Sequence, residues 1–508
     1  MSKRFYITTA IAYPNGKPHM GHAYEAIATD VVARFKRLDG FDVRFLTGTD
    51  EHGLKIAQAA RAEEVEPRAY VDRTSQPFIA LDRQLGISFD RFIRTTDEDH
   101  KALSQQLWLR MAAKGDLYLG RYEGWYSVRD EAYYDDAELV AAEDAEGKTV
   151  KLSPQGTPVE WTVEESWFFK LSAYAQPLLD LYANDPEFVQ PVSRLNEMRA
   201  FVAGGLSDLS VSRTSFDWGV PVPGSPGHVM YVWVDALANY LTGAGGLDGE
   251  WWPADLHVIG KDVVRFHAIY WPAFLISAGI ALPKIVFGHG HVLNRGEKMS
   301  KSLGNVVDPV AMAQRYGVDR LRWFLLREVA FGEDGTYSDE AIIERTNADL
   351  ANGIGNLAQR ALSMVAKNLG GVMPAPGPST GVADLAASIE ALTDVYLAAM
   401  NGLQLHRALE AVMGMVSVAN GFFAEAAPWK LAKTDEAAMA EVLAVTLDAT
   451  RRIVLLVQPF MPESSAALLD QLGVAAHARE FSALDTRVVA GTELPAPQGV
   501  FPRWTEAT

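Results

Sequence analysis

Residues 4–53 read "RFYITTAIAYPNGKPHMGHAYEAIATDVVARFKRLDGFDVRFLTGTDEHG", and their patterning decides the fold. Arg4 to Ala12 are mostly β-branched and aromatic in loose alternation, which predicts a strand. From there the apolar positions Ala23, Ile27, Val31, Phe35 and Leu38 recur at helical spacing, and Asp39-Gly40 supplies the stop. "FDVRFLTGTDEHG" (41–53) then reads as a second strand running into a polar loop. A strand, a helix and a strand in succession imply parallel strands joined by a right-handed crossover. The polar clusters "PHMGH" (18–22) and "TGTDEHG" (47–53) therefore fall at the carboxyl ends of neighbouring strands, where open α/β sheets bind ligands.

Further strand candidates lie far downstream, at "LHVIG" (256–260) and "KIVFGHG" (284–290), each ending in glycine and polar residues. The stretch from about 115 to 227 between them is different, with short aromatic runs such as "YEGWYSVRDEAYY" (122–134) and "ESWFFKLS" (165–172), and reads as an insertion of mixed structure. From Asn347 onward alanine and leucine at helical spacing dominate, broken by "GGVMPAPGPST" (370–380), which predicts a helical bundle. "GTELPAPQGVFPRWTEAT" (491–508) is too rich in proline and glycine for regular structure and should pack as a tail.

The chain has 508 residues, more than one hydrophobic core usually supports, so about two to four domains are expected. Its net charge of -18 argues against a sequence-blind nucleic-acid coat and leaves any RNA contact to local patches. It contains no cysteine, which excludes disulfides and thiolate metal sites. Pro14, Asn15 and Gly16 interrupt the N-terminal apolar run, a poor signal peptide, and "IVLLVQPFM" (453–461) is too short to span a bilayer. A cytoplasmic enzyme or binding protein without a membrane partner is expected.

At a helix start, unpaired backbone N–H groups and the dipole favour an anion. His19 and His22 would add two donors on one side of that turn, and Gly21 would let a flat base approach the backbone. The plain alternative is that the histidines only cap the helix. The second signal is "GEKMSKSLGN" (296–305), where Lys298 and Lys301 flank Met299 and Ser300 between glycines. Such a basic loop can clamp the outer phosphates of a nucleotide as charge builds on leaving pyrophosphate.

"HMGH" (19–22) is similar to the HIGH signature, and "KMSKS" (298–302) matches the second signature of class I aminoacyl-tRNA synthetases, in the class's order. "YVWVDALANY" (231–240) and "GKDVVRFHAIYWPAF" (260–274) bring Trp233, Tyr240, His267 and Trp271, which with Tyr13 suit an unbranched, polarizable side chain such as that of methionine. With their flanks these segments resemble the methionyl-tRNA synthetase family along nearly the whole chain.

The resemblance implies an α/β fold, with a Rossmann-like parallel-sheet catalytic domain in two halves, 1–114 and 228–292. It also implies an inserted connective domain at 115–227, a KMSKS and stem-contact region at 293–346, and an α-helical anticodon-binding domain with a tail at 347–508. Asp50 would hold the methionine ammonium group, with Trp233, Ala236, Leu237 and Tyr240 on one wall, His267 and Trp271 opposite, and Ile11, Ala12 and Tyr13 at the floor. Gly21, Gly260, Lys261, Asp262, Met299 and Ser300 would serve ATP, and His19, His22, Lys298, Lys301 and Arg213 the reacting phosphates or carboxylate. Asn356, Arg360 and Trp429 would read the anticodon, with the indole as a stacking platform, although core burial is the plain alternative for that tryptophan.

The implied reaction takes L-methionine, ATP with Mg2+, and tRNA(Met). Many relatives carry a zinc knuckle in the insertion, but here Ser127, Asp130, Ser153 and Gln155 stand at the ligand positions, so no structural zinc is expected. The sequence stops soon after the bundle, and a monomer is expected. Two rivals are a small-molecule nucleotidylyltransferase, which shares HxGH, and a catalytically silent tRNA-binding paralogue.

Overall fold

The computed structural model describes residues 3–129, 132–143, 149–297, 299, 305–377 and 382–505. Its centre is a six-stranded parallel sheet. The strands are β1 (Arg4–Thr9), β2 (Asp42–Thr49), β3 (Arg91–Arg94), β4 (Val189–Gln190), β5 (Leu256–Gly260) and β6 (Val286–His289). Their spatial order is β3-β2-β1-β5-β6-β4. Ile7 at the middle of β1 sits opposite Phe45 on one side and Leu256 on the other, all fully or nearly fully buried. Helices cover both faces, and this is why the strands read as apolar runs rather than a clean alternation.

The predicted strand, helix, strand opening is present, with helix α1 (Met20–Leu38) as the crossover. Gly40, at φ +82°, occupies the left-handed region just past its end. The first strand ends earlier than Ala12: the chain leaves β5 after the Ala10 N–H bonds the Val258 carbonyl, and Ala12 instead bridges the end of β2. Its N–H donates to the Gly48 carbonyl at 2.8 Å and its carbonyl accepts from the Asp50 N–H at 2.9 Å. That departure holds the floor of the cleft against the polar end of β2.

The aromatic runs of the insertion form the antiparallel strands Leu117–Ser127 and Glu160–Phe169. Within the 115–227 stretch, however, β4 belongs to the parallel sheet, pairing with β6 as an edge strand. A two-residue strand carries no periodicity, so no sequence pattern announces it. Helix α2 (Glu98–Lys114) and helix α3 (Val232–Gly243) pack together on one side of the sheet. A Cβ on Gly243 would lie 2.4 Å from both Leu46 and the Tyr6 hydroxyl, so only glycine lets α3 come this close.

Helix α4 (Val318–Glu328) leads into the helical part, formed by α5 (Asn356–Asn368), α6 (Val382–Asn401), α7 (Leu405–Ala426), α8 (Glu436–Val457) and α9 (Pro462–Gln471). The tail packs back as expected, with the Trp504 backbone and the Asn347 side chain exchanging two hydrogen bonds. Arg322 on α4 is fully buried and joins three segments. Its guanidinium donates to Asp30 on α1 at 2.6 Å, to the Leu85 carbonyl at 3.2 Å, and to the Pro459 and Phe460 carbonyls between α8 and α9 at 2.9 Å each. Among the described residues no helix is long and apolar enough to cross a membrane.

Candidate active site

The carboxyl ends of β1, β2, β5 and β6 open into a cleft of about 550 Å³. At its centre the histidines of "PHMGH" do cap the helix. His19 is the N-cap residue of α1, and its Nδ1 accepts from the Gly21 N–H at 3.1 Å. The Nδ1 of His22 accepts in turn from the His19 N–H at 3.1 Å, closing a reciprocal capping box. The rings lie with centroids 3.9 Å apart.

Capping and ligand binding are not alternatives here, because capping sets the tautomer. With Nδ1 of each ring accepting from the backbone, a neutral imidazole carries its hydrogen on Nε2. His22 is neutral: burial, reinforced by His19 and His289, holds its pKa well below the ordinary value. The first turn thus presents an Nε2–H donor on each ring rather than the backbone amides the sequence suggests. Gly21 has a second, local role. A Cβ there would meet the His19 ring at 2.9 to 3.0 Å, so the glycine makes room for the capping imidazole, and it also lines the cleft.

Ile11, Ala12, Tyr13, Asp50, Trp233, Gly260, Asp262 and Met299 border the same cleft. Asp50 is 8% exposed, and the Tyr13 hydroxyl donates to the His52 carbonyl at 3.1 Å. Trp233 stacks flat on Phe266, ring centroids 3.7 Å apart. Ala236, Leu237, Tyr240, His267 and Trp271 lie one layer behind, buried, and do not reach the cleft surface. There Nδ1–H of His267 donates to the Val263 carbonyl at 2.9 Å, so its Nε2 accepts from the Tyr240 hydroxyl at 2.7 Å. Burial pushes the pKa of His267 down to about 4 and that of Tyr240 well up, leaving an uncharged layer. The buried Nε1 of Trp271 has no hydrogen-bond partner.

Two more of the expected residues are not among those that line the cleft. Arg213 is 2% exposed, donates to Ser210 and the Ser212 carbonyl, and lies against Tyr231 and Tyr126, away from the cleft. Lys261 is drawn off by Asp334, with contacts of 2.7 and 2.8 Å to its two oxygens. Its neighbour Asp262 faces the cleft and pairs with His291 at 2.7 Å. Lys298, Ser300 and Lys301 lie outside the described residues.

Other bordering residues were not foreseen. Glu25, one turn beyond His22, pairs with His289 from β6 at 2.9 Å. Its i+3 spacing from His22 was the available signal. Arg129, from a turn of the insertion, also reaches the cleft, as does Gln155, which the sequence places at a knuckle position. At the remaining knuckle positions Ser127 and Ser153 each hydrogen-bond the Thr157 hydroxyl at 2.8 Å, and all three residues are buried. Buried hydroxyls that bond one another do not fit zinc, which takes thiolate, imidazole or carboxylate. Asp130 is outside the described residues. Among those residues no three histidine, aspartate or glutamate side chains gather as a metal site.

On the helical part, Arg360 of α5 lies over Trp429 at 5.2 Å and over Phe423 at 4.8 Å. Trp429 is 41% exposed, which overturns the core-burial alternative. It follows Pro428, the first residue of a short helix, after Ala427 turns the chain at φ +45°. Asn356 precedes Arg360 by one turn.

A family model described as tRNA synthetases class I (M) matches residues 5–362, and one described as the anticodon binding domain of methionyl tRNA ligase matches 373–508. The chain is 56% identical to the methionine–tRNA ligase of Brucella suis biovar 1, across 99% of each. To that of Mycobacterium tuberculosis strain H37Rv it is 57% identical, across 99% of this chain and 98% of the relative. The solved M. tuberculosis methionyl-tRNA synthetase in complex with methionyl-adenylate superposes with a TM-score of 0.95 at 56% identity, covering 99% of this chain and 100% of that one. The apo form of that enzyme gives 0.90 at 52% identity, covering 100% and 99%.

Proposed function

The chain belongs to the class I methionyl-tRNA synthetases, and from that premise we infer how its cleft activates methionine with ATP and passes it to tRNA(Met). Asp50 receives the substrate ammonium group, and the side chain lies toward Trp233 and the uncharged layer behind it. ATP enters as its Mg2+ complex, the metal carried by the phosphates, with the nucleoside toward Gly260 and Asp262.

A carboxylate oxygen of methionine then bonds to the α-phosphorus as the bond to the bridging oxygen of the β-phosphate breaks, and that oxygen leaves with the electron pair in pyrophosphate. No protein nucleophile takes part; positioning and charge stabilisation lower the barrier. The Nε2–H donors of His19 and His22 serve the phosphate oxygens, with Lys298 and Lys301 assisting the departing pyrophosphate. In the second step a hydroxyl of the terminal tRNA ribose attacks the adenylate carbonyl and AMP leaves.

The observation that supports this reading is the reciprocal imidazole cap, whose two rings line the same cleft as Asp50 and Trp233 and whose Nδ1 atoms are taken up by the backbone. ATP–pyrophosphate exchange without tRNA, across methionine, leucine, isoleucine, valine, cysteine and homocysteine, tests it. Exchange strongest with methionine is expected; none with any of them, from folded protein, would leave a silent paralogue. A nucleotidylyltransferase has no use for the match over 373–508.

The exposed Trp429 and its Arg360 partner are assigned to the anticodon. Trp429→Ala should lower kcat/KM for aminoacylation about tenfold to hundredfold, the worth of one stacked base, and leave pyrophosphate exchange unchanged. Equal losses in both assays would place the effect in the fold instead.

A further inference from the structure

We propose that Asp235 and His52 form a buried clamp that sets the position of Asp50 toward methionine, a role that rests on the reading of the cleft given above. Asp235 on α3 is 1% exposed, and two histidines share its carboxylate. Oδ2 meets Nδ1 of His52 at 2.6 Å, and Oδ1 meets Nε2 of His100, on α2, at 2.7 Å. Burial by itself would raise the pKa of Asp235, but the two imidazoles outweigh it and hold it at about 2. The carboxylate is therefore ionised and only accepts, so both rings must donate to it.

His52 stands two residues after Asp50, in the loop that ends β2. Its carbonyl takes the Tyr13 hydroxyl, and its ring lies edge-on to Trp218, centroids 5.3 Å apart. One side chain thereby ties the floor residue Tyr13 and the loop of Asp50 to α3, the helix that carries Trp233 on the cleft and Leu237 and Tyr240 behind it. The loop's other anchor is independent: Glu51 accepts from Thr49 at 2.8 Å, Ser75 at 2.6 Å and Arg94 at 2.6 Å. Apolar packing serves stability as well as a buried charge does. A carboxylate paired on both oxygens adds direction. Asp235 and His52 are positioning residues for the ammonium site, not groups that touch the substrate.

The test is ATP–pyrophosphate exchange on the full chain with methionine and ATP varied separately. His52→Ala removes a donor to a charged acceptor and should raise KM for methionine about tenfold to hundredfold, with kcat and KM for ATP moving less than about threefold. His52→Asn, whose amide nitrogen stands where Nδ1 stood, should return KM for methionine to within about threefold of the parent. An unchanged KM for methionine in folded His52→Ala overturns the proposal. So does a joint shift of kcat and both KM values, or failure of His52→Asn to restore binding. If His52→Ala does not fold, His100→Ala, which removes only the outer partner of Asp235, should raise KM for methionine about threefold or more, and no change there also overturns it. Absence of methionine-dependent exchange in the unsubstituted protein would instead strike the reading of the cleft.

Discussion

His22→Asn should keep the helix cap and lower kcat for ATP–pyrophosphate exchange by about 10²–10³-fold, the usual loss when one donor to a developing oxyanion is removed. The substitution separates the two jobs of this ring. The asparagine amide oxygen reaches about as far as Nδ1 and can still accept the His19 N–H, so the capping box survives and thermal stability should change little. Nothing in asparagine reaches the position of Nε2, so the donor this cleft-lining ring would offer is lost. His22→Gln inverts the trade: its amide extends toward the Nε2 position and should recover part of the rate while the cap weakens. If His22→Asn exchanges pyrophosphate like the parent, the imidazole is a cap and nothing more.

Arg322→Met should destabilise the protein by about 3 to 5 kcal/mol, read as a shift in the chemical denaturation midpoint. Asp30 and Arg322 are both fully buried, so the substitution leaves a carboxylate in the core with Arg34 and Ser88 as its remaining partners. It also strands three carbonyls, on Leu85, Pro459 and Phe460. Lysine is no repair, because a single ammonium cannot spread donors over acceptors on three segments. The pH dependence has a definite sign. Burial raises the pKa of Asp30, but Arg322, Arg34 and the Ser88 hydrogen bonds together hold it below its ordinary value of 3.8. The stability this depression contributes is complete above the unfolded-state value and is lost as pH falls through the folded-state one. Arg322→Met should shrink that acid-sensitive component. A midpoint shift worth less than about 1 kcal/mol would show that the pair contributes no more than a surface bridge.

The same pair shows where reading a sequence stops. Asp30 and Arg322 are 292 positions apart, and His52 and Asp235 are 183 apart. Nothing in the spacing of either selects its partner; approach in space does. Lys261 and Arg213 illustrate the converse. Their motifs were legible, but the partners of their side chains, a carboxylate at position 334 for Lys261 and tyrosines and serines for Arg213, were not. Trp429 is a third kind: its place after Pro428 was readable, while its exposure depends on what the neighbouring helices leave uncovered.

What the sequence by itself determined was whatever repeats locally: the strand, helix, strand opening, the helical run after Asn347, the order of HMGH and KMSKS, and Asp50 at the end of β2. Each is written in consecutive residues whose period or spacing fixes which side chains share a face. The tertiary structure alone decided that β4 joins the parallel sheet, that the two imidazoles form a reciprocal cap through Nδ1, and that a single carboxylate on α3 meets both His52 and His100. These outcomes depend on contacts between distant segments, where burial strengthens hydrogen bonds and penalises any polar group left unpaired, and no local pattern encodes that balance.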